Sequence, residues 1–227
     1  MTGMIARPVG RRLFLGGAAA SALLALPGCA SMGGFSLTEA IRRLLMLSSE
    51  RAFMRLASDG GYWDDAIGKV GLGNFLGARG DILSSILTSA LFKDRMVHAF
   101  AGIAERGADR AAPLVADAVR TVGIDNAVAL VRGEPTAATQ FLRGQMGMAL
   151  VDAMVPELGQ AMRIAEDPLV GKLIDGLAGT NVSGIAGNVA SRVNNAIWDE
   201  MGKSEAEIRA NPQGTNDPLL IGVFGIR

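Results

Sequence analysis

A single histidine limits the catalytic chemistry that this chain could perform. His98 follows Asp94 by four residues, so on a helix the two side chains would lie on neighbouring turns of one face. A serine-histidine-aspartate triad would need His98 as its base, and no Gly-x-Ser-x-Gly turn accompanies it. We therefore expect a solvated or half-buried helical Asp–His pair rather than a catalytic one.

Metal chemistry has equally few candidate ligands in the sequence. A zinc site needs several nitrogen or sulfur ligands, and the chain has one histidine and one cysteine. A di-iron bundle would carry Glu-x-x-His on two helices, and this motif does not occur. The expectation is a chain with no metal and no cofactor.

Adjacent carboxylates are the remaining candidates for acid–base chemistry. A glycosidase needs two carboxyl groups on either side of the scissile sugar bond. The candidate pairs are Asp64/Asp65, Glu166/Asp167 and Asp199/Glu200. Neighbouring residues on a helix point about 100° apart, so the two members of one pair do not share a site. Pairing across helices stays open, and a carboxylate-dependent hydrolase is the least favoured of three hypotheses.

An apolar group rich in methionine offers a different function. Its members are Phe141, Met146, Met148, Met154 and Met162. Unbranched methionine side chains commonly fill irregular gaps in a core, which is the simpler interpretation. The alternative is an adaptable Met- and Leu-lined cavity around residues 141 to 162 that carries an apolar ligand.

The elements that would position these residues are helices. Aromatic residues make up 5% of the chain, whereas Ala, Leu, Met and Gly are plentiful. No run of alternating β-branched residues occurs. The sequence therefore predicts an all-α fold, a single compact multi-helix domain.

Local signals predict several helix boundaries. Ser36 to Glu39 forms a capping-box motif that opens a helix to about Leu56. Residues 59 to 80 contain seven glycines and are predicted to be irregular. One or two helices follow to about Arg106, and Pro113 starts or kinks the next.

The second half of the chain carries further boundary signals. Asp125 is predicted to cap one helix, Gly133 to close it, and Pro135 to begin another. Residues 141 to 155 are apolar nearly all round a helix, which predicts a central buried element. A second capping box is predicted at residues 204 to 207, and Asp217 is predicted to open a last short turn.

The first thirty residues indicate where the protein resides. Arg11 and Arg12 precede an apolar segment, residues 13 to 26, and Leu-Pro-Gly-Cys ends at Cys29. This is the order of an export signal: basic, apolar, then a cleavage site. The segment is too short to span a bilayer, which needs about 20 residues. We expect a signal peptide at residues 1–28, a lipidated Cys29 with a tether over residues 29–35, and a helical domain over residues 36–227.

Residues around the arginine pair and after Cys29 bear on the export route and on the membrane that would hold the protein. The arginine pair resembles a twin-arginine signal, although Gly10 and Gly16 replace its usual flanking residues, so ordinary secretion stays open. Several acyl chains on Cys29 would anchor the protein stably in a membrane. Ala30 rather than Asp follows the cysteine, which favours the periplasmic face of the outer membrane.

Charge excludes one class of partner. The chain has 22 basic and 22 acidic residues and a net charge of +0, whereas nucleic-acid binding favours a basic face. We therefore expect no nucleic acid among its partners. The expected partners are the membrane, through lipid on Cys29, and an unknown envelope protein or apolar ligand.

Three blocks of sequence resemble a known family. They are Ala104–Pro113, Ile124–Arg143 and Glu207–Gly225. They are similar to the bacterial lipoproteins called domain of unknown function 4197, over most of residues 36 to 225; the stretch from Gly60 to Leu91 departs most. The resemblance implies an all-helical envelope lipoprotein and supplies no reaction and no catalytic residues.

These observations favour a non-enzymatic accessory or interaction protein of the cell envelope. A carrier of apolar ligands is the second hypothesis, and the carboxylate-dependent hydrolase is the third.

Overall fold

The computed structural model describes residues 36–58, 61–76, 90–163 and 182–225. The regular structure in these ranges is helical, without strands, which confirms the all-α prediction. The α-helices are α1 (Leu37–Leu56), α2 (Tyr62–Val70), α3 (Leu72–Leu76), α4 (Ala90–Thr121), α5 (Ala127–Arg132), α6 (Ala137–Met146), α7 (Ala149–Arg163), α8 (Val182–Ala210) and α9 (Pro218–Phe224), with a 3₁₀ helix at Pro212–Thr215 before α9.

Several predicted features fall outside the described residues. They include the whole leader with Arg11, Arg12 and Cys29, the tether over residues 29–35, and the Glu166/Asp167 pair. The described residues, which begin at Ser36, belong to one compact unit.

Helix α8 lies at the centre of the core. Its buried apolar side chains recur every four residues, as the sequence predicts: Ile185, Val189, Val193, Ile197 and Met201. Helix α8 packs against α1, α4 and α7, and it also contacts α3 and α6. A helix buried against several neighbours in this way fixes their relative positions.

The prediction of one continuous central helix over residues 141 to 155 is wrong. The chain breaks at Gly147, whose φ of +52° is a left-handed conformation that glycine adopts at little cost. This break separates α6 from α7. Periodicity alone missed the break because apolar residues continue on both sides of it.

The prediction that residues 59 to 80 are irregular is also wrong. These residues contain α2 and α3, where Trp63, Ile67 and Phe75 are buried, so packing outweighs the low helix propensity of glycine. No helix starts at Pro113, which lies inside the 32-residue helix α4.

The capping predictions have mixed outcomes. Ser36 accepts a hydrogen bond from the backbone N–H of Glu39 at 3.3 Å, and Gly133 ends α5, as predicted. Asn126 rather than Asp125 caps α5, and α6 begins after Thr136 rather than at Pro135. The predicted capping box at residues 204 to 207 lies inside α8.

Within the four described ranges, no helix combines the length with the apolar character that crossing a membrane requires.

Candidate functional site

A cleft of about 440 Å³ opens between α6 and α8 and is the largest of the three clefts considered below. One wall carries side chains from the start and one face of α6, at i, i+3, i+4 and i+7: Thr136, Thr139, Gln140 and Arg143. The other wall comes from α8: Trp198, Asp199, Gly202, Lys203 and Ala206. We call this the α6–α8 cleft.

The α6 wall is fixed by a carboxylate from α8. Glu205 is fully buried, and its two oxygens accept the backbone N–H groups of Ala138 at 3.0 Å and Thr139 at 2.7 Å. These N–H groups belong to the first turn of α6, where a helix has no internal acceptors and a negative charge is favoured. Glu205 thus holds the start of α6 against α8 and sets the width of the cleft there.

A glycine lets the two helices approach closely at the cleft. A Cβ added at Gly202 would lie 3.3 Å from Cγ2 of Thr136, which is tight for a carbon–carbon contact. The indole of Trp198 is buried in the wall, and its Nε1 donates to Asn194 at 2.9 Å. The cleft therefore combines a closely packed wall with a polar rim.

The charged groups of the rim differ in how they are neutralised. Lys203 lies 2.6 Å from the buried carboxylate of Glu200, so its charge has a partner. Arg143 instead donates to the amide oxygen of Asn195 at 2.8 Å, a neutral partner. Among the described residues, Asp199 forms no ion pair with Arg143 or with any other cation. Arg143 and Asp199 thus line one cleft without forming an ion pair with each other.

Behind Asp199 lies a buried network centred on Glu200. The Glu200 side chain is 5% exposed and accepts from Arg55 of α1 at 3.3 Å as well as from Lys203. Burial, followed by the negative charges of Glu200 and Asp199 and a hydrogen bond to Glu200, raises the pKa of Tyr62 to about 12. The Tyr62 hydroxyl therefore stays protonated over the physiological range and cannot serve as a base there.

A second, smaller cleft of about 180 Å³ shares a wall with the first. This α2–α8 cleft is lined by Tyr62, Trp63 and Phe75 on one side and by Arg192, Asn195 and Asp199 on the other, among others. Asp199 lines both clefts, and the Arg143–Asn195 hydrogen bond joins a residue of one to a residue of the other. The exposed face of α8 therefore forms the common floor of two neighbouring clefts.

The predicted pairing of His98 with Asp94 is wrong. His98 Nδ1 instead lies 3.3 Å from Oδ1 of Asp64 on α2, in a third cleft of about 210 Å³ between α2 and α4. The His98 side chain is 84% exposed. Solvent surrounds this pair, so its electrostatic contribution is small.

The adjacent carboxylates point into different surroundings. In the first pair, Glu200 lies in the buried network, whereas Asp199 faces the clefts. In the second pair, Asp64 lies next to His98, whereas Asp65 is exposed. In the part of the chain that the structure describes, no group of three His, Cys, Asp or Glu side chains is placed to hold a metal ion.

The methionine-rich group does not line any of these three clefts. Met154 and Met162 are buried in the core, Phe141 and Met146 pack against it, and Met148 is 58% exposed. The structure thus separates the five residues that the sequence grouped. The carrier hypothesis stays a prediction.

The sequence did not predict the α6–α8 cleft as a site. Of its lining residues, Gln140 and Arg143 were singled out only through the family resemblance, and Asp199 only as half of a carboxylate pair. The helical spacing of Thr136, Thr139, Gln140 and Arg143 is the one available signal, and such spacing is also typical of an ordinary exposed face.

Comparison with known proteins gives a family and nothing finer. The chain matches the family described as a protein of unknown function, DUF4197, over residues 31–225. No curated protein matches it, and no solved structure does. The match covers most of the chain and includes all of the described helices, so the chain belongs to this family.

Proposed function

We propose that this chain is a lipid-anchored protein of the bacterial envelope and that its helical domain acts by binding in the α6–α8 cleft rather than by catalysis. The observation that carries the binding role is the pair of unneutralised charges, Arg143 and Asp199, on one open cleft. Charged groups without a partner of opposite sign are available to a ligand that supplies one.

The contacts of the two buried carboxylates, Glu205 and Glu200, support a structural role for these residues and not a catalytic one. Glu205 is enclosed by two backbone N–H groups and by Arg209, and Glu200 by Arg55 and Lys203. A general acid or base must come within hydrogen-bonding distance of a substrate proton. These two carboxylates already have fixed donors from the protein.

The lipid anchor is supported by the order of charges and apolar residues before Cys29. The described domain begins at Ser36, so a lipid on Cys29 would be joined to it by only seven residues. Fully extended, such a tether spans at most about 25 Å. The domain would therefore work next to the membrane surface, and Ala30 favours the periplasmic face of the outer membrane.

The anchor is tested with the full-length chain, labelled in bacterial cells with an alkyne-bearing fatty acid. We expect the wild-type protein to take up label and to stay in membranes after an alkaline wash, at outer-membrane density. Cys29→Ser should lose both properties, and Ser31→Ala is the matched control that keeps them. A Cys29→Ser protein that stays in washed membranes would refute the anchor.

The binding role is tested separately by photo-cross-linking in cells. A photoreactive amino acid at Gln140 lies on the cleft, whereas one at Glu50 lies on an exposed position of α1 outside all three clefts. We expect a discrete adduct from Gln140 and none from Glu50. Equal adducts from both positions, or none from Gln140, would refute a role for this cleft.

A further inference from the structure

We infer that the α6–α8 cleft binds a short zwitterionic peptide, with the peptide carboxylate at Arg143 and its ammonium at Asp199. This inference rests on the proposed binding function and adds the chemical class of the ligand. It follows from the placement of the two charges on opposite walls, from the hydrogen bond that holds Arg143, and from the size of the cleft.

Arg143 provides the positive charge of the cleft that lacks an acidic partner. Its Nη2 donates to Oδ1 of Asn195 at 2.8 Å, which holds the guanidinium across the gap between α6 and α8. The bond uses one of five N–H donors, and no carboxylate of the described residues takes the others. A planar guanidinium held in this way is suited to a carboxylate, which it can bind through two parallel hydrogen bonds.

Asp199 provides the negative charge, on the opposite wall. Its carboxylate is exposed and lies next to the buried carboxylate of Glu200 in sequence. The negative charges of both residues help to raise the pKa of Tyr62, whose side chain lines the neighbouring α2–α8 cleft. Lys203 lies on the same helix, but at 2.6 Å from Glu200 its charge is already compensated. The α8 wall therefore favours a cationic group.

The two charges together disfavour simpler ligands. A phosphate or another plain anion bound at Arg143 would be repelled by Asp199, and a plain cation at Asp199 would be repelled by Arg143. A ligand with both charges satisfies both walls. The cleft volume of about 440 Å³ lies within the range of about 300–1,000 Å³ that is typical of small-ligand sites, which accommodates about two or three residues of peptide.

The source of such a peptide in the envelope is either the cell wall, whose peptides contain D-residues, or a protein, whose peptides contain L-residues. Both present a carboxylate and an ammonium group on a short backbone. The cleft recognises the carboxylate and the ammonium group, which both kinds of peptide share. A preference for D- or L-residues therefore distinguishes a cell-wall peptide from a peptide derived from a protein.

The experiment uses the full-length protein purified in mild detergent and isothermal titration calorimetry. The probes are D-Ala-D-Ala and L-Ala-L-Ala at millimolar concentrations, each also in an N-acetylated form without the ammonium and an amidated form without the carboxylate. We expect one free dipeptide to bind and each capped form to bind at least about tenfold more weakly. Preference for the D or the L form identifies the source.

Variants assign each charge to its residue. Arg143→Gln should remove the preference for the free carboxylate over the amide, and Asp199→Asn should remove the preference for the free ammonium over the acetylated form. Arg120→Gln and Asp117→Asn change an exposed pair on α4 and should leave binding unchanged.

Two results would overturn the inference. One is equal binding of free and capped dipeptides by the wild-type protein, and the other is no binding of any dipeptide. If either occurs while the Gln140 adduct persists in cells, the ligand class is wrong and the proposed binding function stands. If the adduct is absent, the binding function fails whatever the dipeptides do.

Discussion

The guanidinium of Arg209 lies 2.7 Å from the carboxylate of Glu205, one turn away on α8, and the two side chains are 2% and 0% exposed. Glu205 accepts two N–H groups at the start of α6, whereas Arg209 donates to the carbonyls of Leu130 and Val131 near the end of α5. The negative side chain thus lies at the N-terminal end of α6 and the positive side chain at the C-terminal end of α5, where the helix dipoles have the opposite sign. One ion pair holds the α5–α6 connection onto α8.

Replacing Glu205 by Gln should lower the free energy of unfolding by about 3–5 kcal/mol, because Arg209 is then left buried without its counter-charge. Urea denaturation monitored by circular dichroism measures this change. The control is Asp117→Asn, which breaks an exposed pair with Arg120 and should change stability by less than about 1 kcal/mol. Equal losses in the two variants would contradict the role assigned to Glu205.

The double variant Glu205→Met/Arg209→Met tests whether that loss comes from the unpaired charge alone or also from the lost hydrogen bonds to the backbone. Replacing a buried ion pair by apolar residues is often neutral. Here it would also leave two N–H groups and two carbonyls without their side-chain partners. We therefore expect the double variant to stay less stable than the wild-type protein, and equal stability would mean that the four backbone bonds contribute little.

Tyr62 is the only tyrosine in the chain, so its ionisation can be followed directly by near-ultraviolet absorbance. Its pKa is raised from 10.0 to about 12, by burial first and then by Glu200 and Asp199. The spectrophotometric midpoint should lie near this value in the folded protein. Asp199→Asn should lower it, and Asp65→Asn, an exposed change on α2, should not.

The same shift predicts how stability depends on alkaline pH. The unfolded chain ionises its tyrosine near pH 10.0, whereas the folded chain keeps the proton to about 12. Tyr62 therefore contributes stability that is fully present below pH 10 and is lost as pH rises toward 12. Tyr62→Phe should show a smaller decline over that interval, and an identical decline in both proteins would contradict this account.

Asp217 caps α9 by accepting the N–H groups of Leu219 at 2.8 Å and Leu220 at 3.2 Å, and it pairs with Arg43 of α1 at 3.0 Å. Partial burial raises its pKa, but the bonds from Arg43 and the two backbone N–H groups outweigh burial, and the net pKa is lowered from 3.8. Asp217→Ala should cost about 1 kcal/mol at neutral pH.

The pH dependence of that cost has a definite sign. Because the folded pKa of Asp217 is depressed, its charge contributes stability that is present above pH 3.8 and is lost as pH falls through the folded pKa. Asp217→Asn keeps a capping oxygen and loses only the charge, so thermal melts should show a smaller loss than for Asp217→Ala at neutral pH. A stability difference between Asp217→Asn and wild type that grows in acid would contradict this assignment.

Local chemistry explains which parts of the fold the sequence could predict. The caps at Ser36 and Asp217 depend on bonds that span two or three residues, and the buried stripe of α8 depends on a regular spacing. Such signals are present in the sequence whatever the tertiary structure is.

The remaining features depend on contacts that are distant in sequence. Glu205 lies inside the capping-box pattern of residues 204 to 207, yet it caps α6, whose N–H groups lie 66 and 67 residues earlier. The α6–α8 cleft likewise joins residues from 136 to 143 with residues from 198 to 206. No local pattern encodes which two helices lie side by side, so the site could not be predicted without the fold.

Thr139, in the α6 wall of the cleft, offers a test in which a substitution should improve stability. The residue is 3% exposed, and its Oγ1 has no hydrogen-bond partner among the described residues. A buried hydroxyl without a partner carries a desolvation cost, and valine has nearly the same shape without that cost. Thr139→Val should therefore raise the free energy of unfolding by up to about 1 kcal/mol. Thr139→Ser is the matched control, because it keeps the hydroxyl and removes a buried methyl group, and it should lower stability by about 1 kcal/mol in urea denaturation. The opposite order, with the serine variant more stable than the valine variant, would mean that the hydroxyl has a partner in solution.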